Sequence, residues 1–520
     1  MSSEISLDKD DGATLTEIPI DNGTRTITNR KKILGILYGL GYNLNYIIGE
    51  DAFNPNNIWT LVRSPGITLV LYVICGIISP FGSSVYIELG IRSLPSGIGE
   101  QKYITDAFHP KRNVGHIFSF VAIFVIFPSI IVAESFTSAQ YLLYFYQRSL
   151  DVNWITMATS VAMLFIITLY QVCSNRVSDI INHSLVLFKI ITLLIISIVG
   201  IAKLRIDHVN WNYIFNAPFD LGAYASGLIK VLLTYEGWNN INYLIEEFKP
   251  SSDNLEYPSV ILKYSSLISV GITFILCFLT NAAFITVVGY NINYNGNTPI
   301  PMRFGKELLG ETGEILMSIL VAISSFGCVS AIIFTYSRII KYAAETGFMP
   351  RRISSWFTSY WKKSDTLLKQ LLAQFFYCLG LSFIFMIKTK YNISDNISDF
   401  FADASQYSAM IYHAASAYCL YILKKRLYNT NNNTNPEILS IPIYVIITYL
   451  LIIILIIIVL FIPSRNGNFD YPISYCISWS VVILGVIIWW LRDRKRSEAT
   501  EEFIDETDQS EETISEAGRD

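Results

Sequence analysis

Leu232-Leu-Thr-Tyr-Glu-Gly-Trp-Asn-Asn-Ile-Asn-Tyr243 is the stretch of this 520-residue chain that decides its fold. A glycine and a glutamate stand in the middle of a segment whose flanks are apolar enough to lie in lipid. A second stretch, Tyr46-Ile-Ile-Gly-Glu-Asp-Ala-Phe-Asn-Pro55, has the same character. Gly, Pro and acidic residues are unfavourable in a lipid-exposed helix. Both stretches are therefore predicted to interrupt membrane-spanning helices.

Composition places the chain among multi-span membrane proteins. Its residues are 52% hydrophobic and 15% charged, whereas about 25% are charged in ordinary soluble domains. Apolar runs at residues 67–89, 155–172 and 441–462 are long enough to cross a hydrocarbon core about 30 Å thick. This pattern disfavours soluble enzymes, nucleic-acid-binding proteins and secreted disulfide scaffolds.

Hydropathy predicts an all-α membrane protein with twelve transmembrane helices. The predicted spans cover residues 33–57, 66–90, 114–146, 152–173, 180–202, 222–246, 258–288, 313–342, 367–388, 399–423, 439–462 and 472–491. The two interrupted stretches fall in spans 1 and 6, as expected if spans 1–5 and 6–10 are inverted repeats. The predicted organisation is a cytosolic tail (1–32), a ten-helix core (33–425, repeats 33–202 and 222–425), two additional helices (439–491) and an acidic cytosolic tail (492–520).

Basic residues indicate the orientation of the chain. With the N-terminus in the cytosol, Lys and Arg predominate in the inner segments, as the positive-inside rule requires. Both termini are therefore predicted to be cytosolic, in the plasma membrane or alternatively in an internal membrane. The Lys, Ser and Thr residues of the two tails are candidate sites of phosphorylation and of ubiquitin-linked turnover, which would bring turnover factors as partners.

Interrupted helices at matching positions of two halves predict a substrate site near the middle of the membrane. An unwound turn frees backbone N–H and C=O groups that must bind something. A half-helix N-terminus attracts a carboxylate, whereas a C-terminal end and free carbonyls attract an ammonium or another cation. For a lone glycine in a span, close helix packing or a kink is the alternative explanation.

The segment from Tyr235 to Pro250, YEGWNNINYLIEEFKP, resembles the amino acid–polyamine–organocation superfamily. It is most similar to the L-type amino acid transporter branch, which includes fungal methionine permeases. Other ordered motifs agree, namely Tyr86-Ile-Glu-Leu-Gly90 followed by Pro95-Ser-Gly, Pro128-Ser129, and Ser325-Phe-Gly with Gly347-Phe-Met-Pro350. The resemblance covers residues 35–425 and implies a five-plus-five inverted repeat that works by alternating access.

The resemblance also implies residue roles. Backbone groups at the two breaks would hold the carboxylate and the amine of a substrate. Lys189 of span 5 would occupy the position at which some relatives bind sodium. Its ammonium group would gain and lose a proton. The implied substrate-binding residues are Ile48, Gly49, Glu50, Asp51, Leu233, Tyr235, Glu236, Gly237, Trp238 and Ser330. Ser325 joins Lys189 in the implied proton-coupling site. Leu233 occupies the position of an aromatic gate in relatives.

Departures from the pattern of the family concern charge. The second glycine of the span 1 turn is Asp51 here, which restricts the backbone and puts negative charge where a carboxylate would dock. Glu236 stands where relatives have a small residue. Asp51 or Glu50 is the expected partner of Lys189. Such a pair would either take part in proton coupling or form a permanent salt bridge that holds span 5 to span 1. Lys230 is expected to pair locally with Glu236.

These patterns predict a secondary-active amino acid permease, carrying methionine or another neutral amino acid and coupled to protons. A polyamine or cationic amino acid transporter is the first alternative, because unpaired carboxylates attract cations. A non-transporting nutrient sensor of the same fold is the second. An enzyme, a metal site and a cofactor are not expected, because the five histidines form no catalytic or metal motif and the seven cysteines stand singly. Glu134 and His413 remain without an assigned role.

Overall fold

Helices make up the fold throughout the part of the chain that the computed structural model describes, and no strand occurs there. The described residues are 22–94, 98–110, 113–206, 208–212, 214–216, 219–248, 256–289, 298–359, 367–390, 397–429, 440–459, 461, 475–492 and 494. Most of both predicted tails therefore lies outside the described residues.

The helices follow one another in the order predicted. They are α1 (Asn22–Ile47), α2 (Asn56–Val62), α3 (Pro65–Ser93), α4 (Gly99–Ala107), α5 (His116–Val121), a π turn (Ala122–Ile126), α6 (Phe127–Gln147), α7 (Trp154–Cys173), α8 (Asn175–Leu204), α9 (Leu221–Tyr235), α10 (Asn240–Leu244), α11 (Glu256–Val288), α12 (Ile300–Glu345), α13 (Arg351–Thr358), α14 (Leu368–Lys390), α15 (Ile397–Asn429), α16 (Ile443–Val459) and α17 (Tyr475–Arg492). Short 3-10 turns cover Val209–Trp211 and Ile245–Phe248.

The two predicted helix interruptions are present. The first helical segment ends at Ile47, and α2 begins only at Asn56. Likewise α9 ends at Tyr235, and α10 begins at Asn240. Neither Gly49 nor Gly237 lies in a helix. We call residues 48–55 the first break and residues 236–239 the second break.

Seven helices of the described chain are long and apolar enough to cross a membrane, judged by length and composition. They are α3, the continuous helix His116–Gln147, α7, α8, Pro258–Val288 of α11, α12 and α17. Helices also occupy the other predicted spans, in shorter, interrupted or less apolar form. A multi-pass membrane protein is therefore supported, whereas the count of twelve crossings and the inverted repeat remain predictions.

The side chains of α8 show how such a helix faces lipid and protein. Lys189 and Leu193 are fully buried in the bundle, whereas Leu187, Ile191 and Ile198 expose about half or more of their surface. The exposed face is apolar and the buried face carries a charge, the reverse of a helix in a soluble protein. Charged residues within a membrane face the bundle interior, which turns Lys189 toward α1 and α12.

Candidate functional site

Lys189 fixes the first break through the backbone of α1. Its Nζ donates hydrogen bonds to the carbonyl oxygens of Asn45 (3.0 Å) and Ile48 (2.5 Å), and the residue is fully buried. The last carbonyls of a helix have no partner within the helix, and a cation is favoured beside them. Lys189 therefore stabilises the end of α1 at the point where the chain unwinds.

Two side chains of α12 satisfy further carbonyls at the same place. Ser324 Oγ donates to the carbonyl of Gly49 at 2.9 Å, and Cys328 Sγ lies 3.1 Å from the carbonyl oxygen of Tyr46. A β-carbon added at Gly49 would lie 3.3 Å from Cys328 Sγ and 3.3 Å from Glu134 Oε1. The first break is thus packed closely between α6 and α12.

The second break depends on a glycine. Gly237 has φ +123°, a conformation that side-chain-bearing residues rarely adopt. A β-carbon there would also lie 2.6 Å from Cδ1 of Tyr46 and 2.7 Å from Cγ1 of Ile47. The second break therefore packs against the last turn of α1, next to the first break. Asp51, in contrast, is not among the residues with positive φ in the described chain, so an acid in place of the second glycine does not strain the first break.

The two breaks line one pocket, which we call the break pocket. Both breaks contribute residues, and the end of α1, the π turn, α6, α9, α12 and α15 supply the remaining walls. Its lining consists of Tyr46, Ile47, Gly49, Asp51, Ile126, Ile130, Glu134, Leu233, Glu236, Cys328, Ile332, Ser405 and Gln406. Residues of the two unwound segments therefore line a common space.

A second cavity, the acidic pocket, adjoins the first and shares Asp51, Ile130, Glu134 and Leu233 with it. The acidic pocket is lined by Glu50, Asp51, Asn54, Asn57, Ile58, Ile130, Ala133, Glu134, Thr137, Lys230, Leu233, Ala402 and Asp403. Together the two linings contain five carboxylates and one lysine, since Glu236 is added by the break pocket. The site as a whole is strongly negative.

Several predicted pairings are different in the structure. Among the described residues no carboxylate lies within ion-pair distance of Lys189, because the backbone carbonyls of α1 reach it first. Lys230 pairs with Asp403 of α15 at 3.2 Å rather than with Glu236. The ion pair with a residue 173 positions away in the chain takes precedence over the local spacing. Glu236 lies instead 3.5 Å from Nε2 of His413.

Five of the ten predicted substrate-binding residues line the pockets, namely Gly49, Glu50, Asp51, Leu233 and Glu236. The other five do not, namely Ile48, Tyr235, Gly237, Trp238 and Ser330. Ser330 Oγ accepts a hydrogen bond from Tyr170 of α7 at 2.5 Å, so it contributes to helix packing. Trp238 is buried against His413, with ring centroids 5.0 Å apart, and Tyr235 OH donates to the carbonyl of Tyr72 at 3.2 Å. None of these three lines either pocket.

Residues that the sequence did not assign complete the site. Glu134 lines both pockets, and its Oε2 is buried without a hydrogen-bond partner among the described residues. Gln406 lines the break pocket, and both polar atoms of its amide are also buried without a hydrogen-bond partner among the described residues. A mid-span carboxylate was a signal for Glu134, whereas nothing in the sequence distinguishes Gln406 from other polar residues. Ser324, rather than the predicted Ser325, bonds to the first break.

Comparisons with known proteins identify the family. The model of the family described as amino acid permease matches residues 37–490. The large neutral amino acids transporter small subunit 2 of Mus musculus is 28% identical over 331 residues, covering 62% of this chain and 59% of that protein. The b(0,+)-type amino acid transporter 1 of Mus musculus is 26% identical over 332 residues, covering 63% and 66%.

The Asc-type amino acid transporter 1 of Homo sapiens is likewise 27% identical over 327 residues, covering 62% of this chain and 60% of that protein. The chain therefore spans about three fifths of the length of these curated relatives. Because the family model covers most of the 520 residues, from 37 to 490, the chain belongs to the amino acid permease family.

Proposed function

We propose that the protein is a secondary-active amino acid permease that binds its substrate in the break pocket and works by alternating access. The observation that carries this proposal is that both helix breaks line one pocket. Unwound backbone inside a membrane is tolerated where it lines a cavity, and interrupted helices in two halves of a carrier mark its substrate site. The family and its relatives support a transporter rather than an enzyme.

The geometry indicates how such a substrate would be oriented. The carbonyls of Asn45, Ile48 and Gly49 already bind Lys189 or Ser324. An amine of the substrate would therefore bind a carboxylate instead, and Asp51 and Glu236 both line the pocket. Leu233 lines both pockets, and we assign it the role of a gate between them.

Methionine or another neutral amino acid is the cargo that we propose first, from the resemblance to fungal methionine permeases. Uptake of labelled methionine and leucine into proteoliposomes tests it. Saturable uptake, inhibited by excess unlabelled amino acid and absent in empty liposomes, is the expected result. If methionine, leucine, lysine and spermidine all fail to enter, the proposed permease function is wrong.

A cationic amino acid or a polyamine is the second candidate cargo, and the charge of the site favours it. Five carboxylates and one lysine line the two pockets, and Lys230 is already paired with Asp403. A substrate with a second positive charge would compensate the excess negative charge. Lysine or spermidine that outcompetes methionine at equal concentration would establish this alternative.

We further propose that transport is coupled to protons at Lys189 and Ser325. We also propose that the protein lies in the plasma membrane with both termini in the cytosol. Lys189 supports the proton coupling because a buried ammonium held by neutral carbonyls is a costly charge. Uptake driven by a pH gradient in the wild type, and insensitive to that gradient in Lys189→Met, is the expected result. Ubiquitin-linked factors on the tails stay a prediction.

A non-transporting sensor of the same fold is the remaining alternative. Replacing Glu50-Asp51 with Ser-Gly, the usual sequence of relatives, separates the two functions. Changed uptake in that variant argues for a carrier. A wild type that binds amino acids but moves none argues for a sensor.

A further inference from the structure

A chain of four polar side chains, three of them buried, runs from the break pocket to α4. Glu236 Oε1 lies 3.5 Å from Nε2 of His413, whose Nδ1 lies 2.8 Å from the hydroxyl of Tyr86. That hydroxyl lies 2.8 Å from Oε1 of Glu100. We call these four residues the buried relay. His413 and Glu100 are 1% and 2% exposed, whereas Glu236 is 15% exposed and lines the break pocket.

The hydrogen bonds determine where the protons sit. Tyr86 has one hydroxyl proton, and it donates this proton to Glu100. With Glu100 as an anion, Nδ1 of His413 carries a hydrogen, because the Tyr86 oxygen can then only accept from it. The proton that His413 gains or loses is consequently the one on Nε2, the atom that faces Glu236.

Glu100 has the bonding pattern of a carboxylate anion. Its two oxygens accept from Tyr86, from Tyr243 OH at 2.5 Å and from Asn239 Nδ2 at 3.1 Å. Within the described chain, no lysine, arginine or histidine lies within ion-pair distance of it. A buried anion needs compensating charge, and an imidazolium at His413, one hydroxyl away, supplies it. Glu100 also lies in the first turn of α4, where the helix dipole favours an anion.

We propose that His413 binds a proton at Nε2 between the two carboxylates Glu236 and Glu100, and that this proton competes with the ammonium group of the substrate for Glu236. The proposal rests on the proposed permease function, since it requires an amine-bearing substrate in the break pocket. An imidazolium and a substrate ammonium beside the same carboxylate repel each other. Substrate binding therefore displaces the proton, and acidification weakens binding.

The exchange is balanced in charge and atoms. In the empty state, the Nε2–H of the imidazolium faces the Glu236 carboxylate at 3.5 Å, as an ion pair without a hydrogen bond. When an ammonium binds Glu236, the proton leaves Nε2 for solvent through the break pocket, and neutral His413 keeps its Nδ1–H toward Tyr86. No covalent bond apart from N–H is broken. Asn239 of the second break and Tyr243 of α10 both donate hydrogen bonds to Glu100. The relay is therefore hydrogen-bonded to the second break and to the helix that follows it.

Other titratable groups surround the relay and enter the design of the test. Tyrosines from the neighbouring helices interact electrostatically with its carboxylates. They are Tyr46 of α1 with Glu236 and Glu100, Tyr103 of α4 and Tyr412 of α15 with Glu100, and Tyr449 of α16 with both acids. The pockets add Glu50, Asp51 and Glu134, which also titrate beside a bound amine. Only the part of the pH dependence that disappears with His413 tests the proposal.

The experiment measures binding of methionine, leucine, lysine and spermidine to the purified full-length protein by calorimetry between about pH 5 and about pH 8. For the wild type, the dissociation constant of the best probe should rise by up to about tenfold per pH unit on the acid side, as one competing proton requires. His413→Gln should remove most of that dependence, and Glu100→Gln should move it to lower pH. His116→Gln, at a buried histidine of α5 in edge-on contact with Phe348, is the matched control and should behave as the wild type.

Proton release from the unmodified protein provides a second readout. Titrations in buffers of different ionisation enthalpy should show that substrate binding releases protons near the middle of this pH range. Binding without proton release, or His413→Gln with an unaltered pH dependence, overturns the proposal. If none of the four probes binds the wild type at any pH, the proposed permease function fails instead.

Discussion

Gly237 of the second break packs directly against Tyr46 at the end of α1. A β-carbon at residue 237 would lie 2.6 Å from Cδ1 of that tyrosine. The second break is therefore in contact with the end of α1, immediately before the first break begins.

Gly237→Ala is predicted to destabilise the protein by about 2 kcal/mol or more and to abolish uptake. The cause is twofold, because φ is +123° and the added methyl group meets Tyr46 and Ile47. The melting temperature in detergent and uptake by proteoliposomes measure the two effects. Gly271→Ala is the control, since nothing lies within 4 Å of a β-carbon there. Equal behaviour of the two variants would show that the second break does not need a glycine.

Lys189→Met is predicted to leave two carbonyls of α1 without a donor, at a cost of about 1–3 kcal/mol for each buried group. Lys189→Arg should not restore stability, because a β-carbon at Gly327 would already lie 2.9 Å from Cε of the lysine, leaving no room for a guanidinium. Thermal unfolding in detergent measures the loss. Lys203→Met, at an exposed position of the same helix, should be close to neutral. A stable Lys189→Met protein would contradict the anchoring role of the ammonium.

Glu88→Gln is predicted to loosen α15 and the start of α16 from α3. The fully buried carboxylate of Glu88 binds Arg92 at 2.6 Å, Lys424 at 3.0 Å and the backbone N–H of Ile441 at 2.9 Å. Removing its charge leaves two cations without compensation, at a cost of about 3–5 kcal/mol.

Asp106→Asn is the matched control for Glu88→Gln. Asp106 is about one-third exposed and pairs with Lys102 four residues earlier, and such surface pairs contribute about 0–1 kcal/mol. The difference in melting temperature between the two variants measures the effect of burial. Similar losses in both would mean that Glu88 does not hold the additional helices.

Asp51→Asn is predicted to reduce uptake of lysine and spermidine about tenfold more than uptake of methionine. Asp51 lines both pockets, and a doubly charged substrate depends more on their negative charge than a substrate with one ammonium. Competition between labelled methionine and unlabelled spermidine, in wild type and variant, measures the selectivity. An equal reduction for all substrates would locate Asp51 in general amine binding rather than in discrimination by charge.

The sequence predicted the breaks well because their signal is local. Gly237 and its polar neighbours stand in an apolar segment, and an interruption of the helix follows from those residues alone. The helices themselves also follow from hydropathy. Pairings between helices do not, because they depend on which faces pack together. Lys230 illustrates this, since the residue that it binds, Asp403, is 173 positions away.

Glu100 shows a second feature that could not be predicted from the sequence, namely the burial of a short polar helix. The sequence places Glu100 between spans 2 and 3, where an acid in a loop has no special meaning. The structure instead buries α4 within the bundle and brings Glu100 to Tyr86, Asn239 and Tyr243. Short polar helices that fold back into a membrane protein lack the apolar length by which hydropathy detects buried segments. His413 could therefore not be connected to a second carboxylate from sequence.

The central claim is that both breaks together bind the substrate, and a density map of the ligand-bound protein tests it most directly. The best ligand among methionine, leucine, lysine and spermidine should appear between residues 46–51 and 233–237, with its amine hydrogen-bonded to Glu236 or Asp51. Density for that ligand at any other place, or a helix that continues unbroken through Gly49 or Gly237, would contradict the account.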